Sequence, residues 1–171
     1  EPTTSDAVTT NGLRPWRYAY NDAGDLVGMS DARGCGANYT YDATGRLTSE
    51  DYSPCEAAHA AYSAPNLSTL AGIEVYYQYD SVPTSFSGVV GVPTGSGGSG
   101  VPSGYAATSS NLKGKLAATF DRASVEVFTY DVRGRSKRMD RRMADPDPAI
   151  SDVKLKYRGR WYSSASAYET A

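Results

Sequence analysis

The 171-residue sequence predicts an all-β protein made of antiparallel hairpins, and three observations carry that prediction. Tyrosine outnumbers phenylalanine and tryptophan together, 14 to 5, beside 17 glycines. Tyrosine favours strands, where its ring packs while its hydroxyl reaches water or a partner. A short motif of two tyrosines, a turn and a leucine then recurs along the chain. Between its copies stand turn signals rather than long helical periodicity.

The copies come in order. Tyr18-Ala-Tyr20-Asn-Asp-Ala-Gly24-Asp-Leu26 is followed 21 residues later by Tyr39-Thr-Tyr41-Asp-Ala-Thr-Gly45-Arg-Leu47. A third copy reads Phe128-Thr-Tyr130-Asp-Val-Arg-Gly134-Arg-Ser136. A fourth is split: Tyr77-Gln-Tyr79-Asp80 halts, and Gly114-Lys115-Leu116 resumes after an insertion. Asn21, Asp42 and Asp131 each open a four-residue turn that Gly24, Gly45 and Gly134 close. Asx first and Gly last suits a type I turn whose glycine adopts the left-handed conformation of a bulge. Turns are therefore expected near 22–23, 43–44 and 132–133. Tyr18 and Tyr20 share one face of their strand, with Leu26 opposite Tyr20 and Leu47 opposite Tyr41. One face of each hairpin is then aromatic plus leucine, the other Thr, Ser, Ala, Asp and Arg. A lone hairpin is barely stable in water, so the hairpins must pack side by side.

Tyr-x-Tyr-Asp-x-x-Gly-Arg-Leu resembles the YD repeat of the Rhs family, found in bacterial polymorphic toxins, toxin-complex shell proteins and teneurins. The resemblance covers residues 17–52, 74–80 and 114–142, and the copy from Tyr39 to Leu47 matches at every fixed position. Asn21 replaces Asp, Asp25 replaces Arg and Ser136 replaces Leu in the others. The resemblance implies a β-strip spiralling into a hollow shell around a toxic C-terminal domain, of which this chain is a piece of wall. Its partners would be the rest of its own repeat array and the enclosed toxin domain. The compartment would be the bacterial exterior or cell surface.

The whole chain, 1–171, thus reads as one array segment. Repeats lie near 17–31, 38–52, 74–80 with 114–121, and 126–142; insertions lie at 53–72 and 81–113. Ser53-Pro54-Cys55-Glu56 has the form of a capping box with proline at the first helical position, predicting a short helix over 54–62. Gly95 to Gly100, flanked by Val-Pro pairs, has linker composition. Asp145 to Pro148 reads as a stiff connector, and Val153–Tyr157 and Arg160–Ser163 as further strands. The first residue is Glu1 rather than Met, the expectation for a processed or excised segment, and a further repeat is expected to run past Ala171.

Cys35 and Cys55 are the two cysteines. Counting across the Asp42–Gly45 turn puts Cys35 opposite Ser53, two positions from Cys55, and a small bend would bring the pair within the ~7 Å Cα reach of a disulfide. An even pair without a metal motif favours that bond in an exported protein. The alternative is two unlinked thiols in a cytosolic product. Gly95-x-Gly97-x-x-Gly100 matches a dinucleotide fingerprint only formally, because Val101-Pro-Ser-Gly follows where a helix N-terminus is needed. His59 is the only histidine, too little for a metal site or for a base beside a nucleophile. Asp145-Pro146 and Asp147-Pro148 echo an autocleavage motif of Rhs shells without its Gly-Leu. No catalytic residue, cofactor or metal is nominated, and the chain is not read as an enzyme.

Charge points the same way. Seventeen basic and 19 acidic residues leave a net charge of −2, which argues against a general hold on nucleic acid or an anionic membrane. No apolar run approaches the ~20 residues of a membrane helix. Six basic residues crowd Arg133 to Arg142, without the aromatic interleaving that base stacking needs. They suit an edge or solvated strand, or pairing with acidic neighbours. The structural positions expected to matter are Tyr18, Tyr20, Gly24, Tyr39, Tyr41, Asp42, Gly45, Leu47, Tyr130, Asp131 and Gly134. The second class of function is a carbohydrate- or cell-surface-binding adhesion module, with sugars stacked on exposed tyrosines.

Overall fold

The computed structural model describes residues 15–53, 72–81, 111–121, 123–143 and 161–168. Among the described residues nine strands follow one another as antiparallel neighbours in chain order. They are β1 (Arg17–Tyr20), β2 (Leu26–Ser30), β3 (Gly36–Tyr41), β4 (Leu47–Ser53), β5 (Val75–Tyr79), β6 (Leu116–Asp121), β7 (Ser124–Tyr130), β8 (Ser136–Met143) and β9 (Trp161–Ala165). The protein is all-β, as its sequence predicts. Two compact units divide it, Glu1–Tyr76 and Tyr77–Ala171. The helix expected over 54–62, the linker around 95–100, the connector at 145–148 and the strand at 153–157 lie outside the described residues.

All three expected turns are present. The amides of Gly24, Gly45 and Gly134 donate to the carbonyls of Asn21, Asp42 and Asp131 at 2.9–3.0 Å. Gly45 sits at φ +79°, where a side chain would strain the backbone. A further turn of the same build joins β2 to β3, where Gly34 N–H donates to the Asp31 carbonyl at 3.0 Å. No Tyr-x-Tyr precedes Asp31, so the repeat motif does not mark this turn.

The hairpins β1–β2, β3–β4 and β7–β8 each carry a second irregularity. Tyr20 faces Leu26 but Ala19 faces Gly28; Tyr41 faces Leu47 but Thr40 faces Ser49; Tyr130 faces Ser136 but Thr129 faces Arg138. Val27, Thr48 and Lys137 are the extra residues, each three past the turn glycine. A β-bulge of this kind displaces every pair beyond it by one residue. Ser53 therefore faces Gly36, not Cys35 as a plain count across the turn has it.

Burial separates the two faces of the sheet. In the first unit Tyr18, Met29, Ala37 and Tyr52 form one cross-strand row, and Ala19, Gly28, Asn38 and Asp51 form the row on the other face. Tyr18 and Tyr52 are exposed, whereas Gly28, Ser30, Asn38 and Ser49 are buried. The small polar face is thus the more covered one. In the second unit the face opposite Phe128 and Tyr130 again lies inside. Register aligns Ala118, Val127, Asp140 and Ser163 in one row, and Phe120, Val125 and Arg142 in the next. Val125 and Val127 are fully buried, each worth about 1.5–3 kcal/mol relative to exposure.

β8 is an interior strand, flanked by β7 and β9, so the basic run is not an edge. Its cations are paired instead: Arg138 with Asp140 at 2.6 Å, Arg141 with Glu126 at 2.6 Å, and Arg135, just ahead of the strand, with Asp131 at 2.7 Å.

Candidate functional site: turn clamps and a tyrosine ladder

The turn aspartates do more than open their turns. Asp42 Oδ1 accepts from the Thr44 and Arg46 amides at 2.8 and 3.1 Å and from the Thr44 hydroxyl at 2.7 Å, while Oδ2 accepts from Arg46 Nε at 2.7 Å. Asp131 repeats the arrangement with the Arg133 and Arg135 amides and Arg135 Nε. Asp31 does so with the Arg33 and Cys35 amides and Arg33 Nε. One carboxylate therefore holds two turn amides and a guanidinium. Charge-assisted hydrogen bonds of this type favour the ionised form. The Thr44 hydroxyl and then the Arg46 amide hold the Asp42 carboxyl well below the usual carboxylate range. Desolvation alone raises the Asp131 carboxyl, but the Arg135 amide and guanidinium outweigh it and lower the group.

The first hairpin keeps the clamp with its polarity reversed. Asn21 Nδ2 donates to Asp25 Oδ2 at 2.9 Å, and the Asp25 amide donates to Asn21 Oδ1 at 2.8 Å. The two departures from the repeat thus complement each other: an amide stands for the carboxylate and a carboxylate for the guanidinium.

The split copy closes like the others. Asp80 N–H donates to the Lys115 carbonyl at 3.1 Å, as Asp42 N–H donates to Arg46 at 2.9 Å. Gly114 N–H donates to Asp80 Oδ1, and Gly114 lies at φ +76°. Leu112 is buried, and Asn111 Nδ2 donates to the Tyr130 carbonyl at 3.2 Å, so the last residues of the 81–113 insertion dock on the sheet. Lys115 Nζ lies 5.4 Å from the centre of the Tyr130 ring.

Neighbouring hairpins are tied by tyrosine. The Tyr41 hydroxyl donates to the Leu26 carbonyl at 2.8 Å, and the Tyr130 hydroxyl to the Leu116 carbonyl at 2.9 Å. The second tyrosine of one copy thereby holds the first residue of the returning strand before it. Tyr168 makes the same bond to the Ser136 carbonyl at 2.6 Å, and its ring lies 4.1 Å beneath the Arg135 guanidinium. Tyr168 was not foreseen. Its signal is faint, a single tyrosine two residues after Ser166, without the preceding tyrosine or the turn.

Elsewhere, Tyr39 is half-buried and its hydroxyl donates to Met29 Sδ at 3.5 Å. The Tyr52 hydroxyl donates to Glu50, and that carboxylate pushes the phenol up to about 12. Asp140, fully buried on β8, accepts at Oδ1 from Arg138 Nε at 2.9 Å and from the Ser163 hydroxyl. No local sequence signal marks this buried cluster, whose members Asp140 and Ser163 lie 23 residues apart. Cys35 donates its amide to Asp31 Oδ1 at 3.0 Å and is not free, while Cys55 lies outside the described residues. His59, Gly95 to Gly100 and Asp145 to Pro148 lie outside them too.

These parts hold backbone to backbone. Carboxylates close turns, hydroxyls join strands, and the polar groups named are spent on the protein itself. Fold and site together define an all-β protein of repeated antiparallel hairpins with clamped turns. Compared with known proteins, the chain matches no family model and no curated sequence. Among the described residues no helix is long and apolar enough to cross a membrane, and no three metal-ligating side chains gather.

Proposed function

We propose that the chain is a structural segment of an exported Rhs/YD-type shell, in which side-by-side hairpins form a wall around a C-terminal toxin domain. The observation that carries the reading is the tyrosine ladder. The same hydroxyl-to-carbonyl bond recurs at Tyr41, Tyr130 and Tyr168, so hairpin is joined to hairpin by a rule that extends to any number of copies. The mechanism is exclusion, with paired strands standing as a barrier between cargo and its surroundings. A disulfide between Cys35 and Cys55 and an extracellular bacterial location belong to the same proposal.

Electron microscopy of the full gene product tests it. A closed wall with density inside supports the shell, whereas an open particle with nothing enclosed rejects it.

The second reading, a carbohydrate-binding module, draws on the exposed aromatic row of Trp16, Tyr18 and Tyr20. Retention on a glycan array, lost in Tyr18→Ala with the fold intact, would favour that module.

A further inference from the structure

We propose that the residue after each turn glycine couples its hairpin to the next, and that Arg135 ties the closing of its own turn to the docking of β9 and Tyr168. Asp25, Arg46, Lys115 and Arg135 occupy this position in the four copies. Each stands immediately ahead of its returning strand, β2, β4, β6 or β8. The carbonyl that accepts a ladder bond belongs to the very next residue, Leu26, Leu116 or Ser136. The ladder bond therefore brings a tyrosine from the following strand up beside this one side chain.

Two copies show what a cation does there. Lys115 Nζ lies 5.4 Å from the centre of the Tyr130 ring, and Arg135 Cζ lies 4.1 Å from that of Tyr168. Both fall within the ~6 Å at which a cation is attracted by the face of an aromatic ring. The cation comes from one hairpin and the ring from the segment after it. A Cβ added at Gly134 would meet Lys115 Nζ at 2.8 Å, so the lysine reaches across as far as the next turn.

Arginine adds what lysine cannot. Arg135 Nε donates to Asp131 Oδ2 at 2.7 Å while the guanidinium covers the Tyr168 ring. A planar guanidinium bonds through its edge and stacks through its face at the same time, whereas an ammonium is a point charge. One side chain thus joins the turn carboxylate to the next ring. Turn closure fixes the guanidinium where Tyr168 needs it, and docked Tyr168 holds it against Asp131. The first hairpin bears an anion at this position, Asp25, which accepts from Asn21 Nδ2 at 2.9 Å. Burial and then the Asp25 charge push the Tyr41 phenol up. That junction has the ladder bond without a cation beside it at this position. The inference concerns the joints between hairpins and not any enclosed cargo, so it fails separately from the shell.

Hydrogen exchange at the Ser166 amide decides it, because that amide donates to the Lys137 carbonyl at 2.9 Å and reads the docking of the chain beside Tyr168. In the full chain Asp131→Asn should speed its exchange by about two- to fivefold, the size of an exposed cation–π contact. Tyr168→Leu should speed it further, and the two substitutions together should act no more strongly than Tyr168→Leu alone. With Arg135→Met in place, Asp131→Asn should have no effect on Ser166. It should keep its effect beside Tyr168→Phe, which retains the ring and loses only the hydroxyl. Amides of β6 report the fold and should be unchanged throughout. A Ser166 amide indifferent to Asp131→Asn overturns the proposal, and so does an equal response with and without Arg135. An effect that vanishes in Tyr168→Phe overturns it too, by assigning the tie to the hydroxyl instead of the stacked ring.

Discussion

The Tyr41 hydroxyl lies 2.8 Å from the Leu26 carbonyl, a side-chain tie added to the main-chain pairing of β2 with β3. A neutral hydrogen bond of this kind contributes about 1 kcal/mol net. Tyr41→Phe and Tyr130→Phe should each lower stability by about that amount while leaving the fold intact, read as a shift in urea midpoint at constant slope. Unshifted midpoints in both would show the ladder to be incidental.

The reversed clamp makes a sharper case. Asn21→Asp moves the first hairpin toward the usual repeat residue, yet it sets a second carboxylate against Asp25, 2.9 Å from the present amide nitrogen. Two like charges at ~4 Å in water repel by about 1 kcal/mol. The single variant should be destabilised at neutral pH, and the pair Asn21→Asp with Asp25→Arg should recover the loss. A double variant worse than the single would mean the clamp is not interchangeable.

Acid should loosen the turns. Asp31, Asp42 and Asp131 are all lowered from the ordinary 3.8 in the folded chain. A lowered carboxyl binds its proton less readily folded than unfolded, so its contribution is complete above about pH 4 and is lost as pH falls through the folded value. Stability measured from pH 6 down to pH 2 should drop, and Asp42→Asn should flatten the drop. An Asp42→Asn chain as acid-sensitive as the wild type would contradict the assignment.

Asp140 is buried with Arg138 at 2.6 Å. Removing one partner of a buried pair typically costs about 3–5 kcal/mol. Asp140→Ala should fall in that range, and Arg138→Met added to it should restore part of the loss, because a half-buried guanidinium without its carboxylate goes. Thermal unfolding of the single and double variants checks the sign of that coupling.

Cys35 and Cys55, if joined, close a loop of about 20 residues and stabilise the chain by about 3 kcal/mol. Intact mass after alkylation without reductant should show no alkylated thiol in material from an oxidising compartment. Two alkylated thiols would reject the bond.

Legibility followed locality. The turns at 22–23, 43–44 and 132–133 could be read because an Asx and a glycine three residues apart specify them without help from the rest of the chain. Asp31-Ala-Arg-Gly34 uses the same letters and could have been found by the turn alone. The extra residues Val27, Thr48 and Lys137 could not, since three different side chains occupy the bulge and only strand pairing reveals it. Alternation separated the tyrosine face from the small polar face but could not say which is covered. Asp140 was hidden for another reason: Ser163, one of its partners, is 23 residues away on another strand.

The turn between Asp80 and Gly114 has one more consequence. Its closing bond spans 34 positions where the other turns span three. Loop-closure entropy grows only logarithmically, by about 0.6 kcal/mol per doubling, so an elevenfold lengthening costs about 2 kcal/mol. A buried Leu112 and the Asn111 bond to the Tyr130 carbonyl are of a size to offset it. Foreign sequence can thus enter at a hairpin tip while the strands on either side keep their places. Such a tip tolerates added length cheaply, because the cost falls on the connection and grows only with its logarithm.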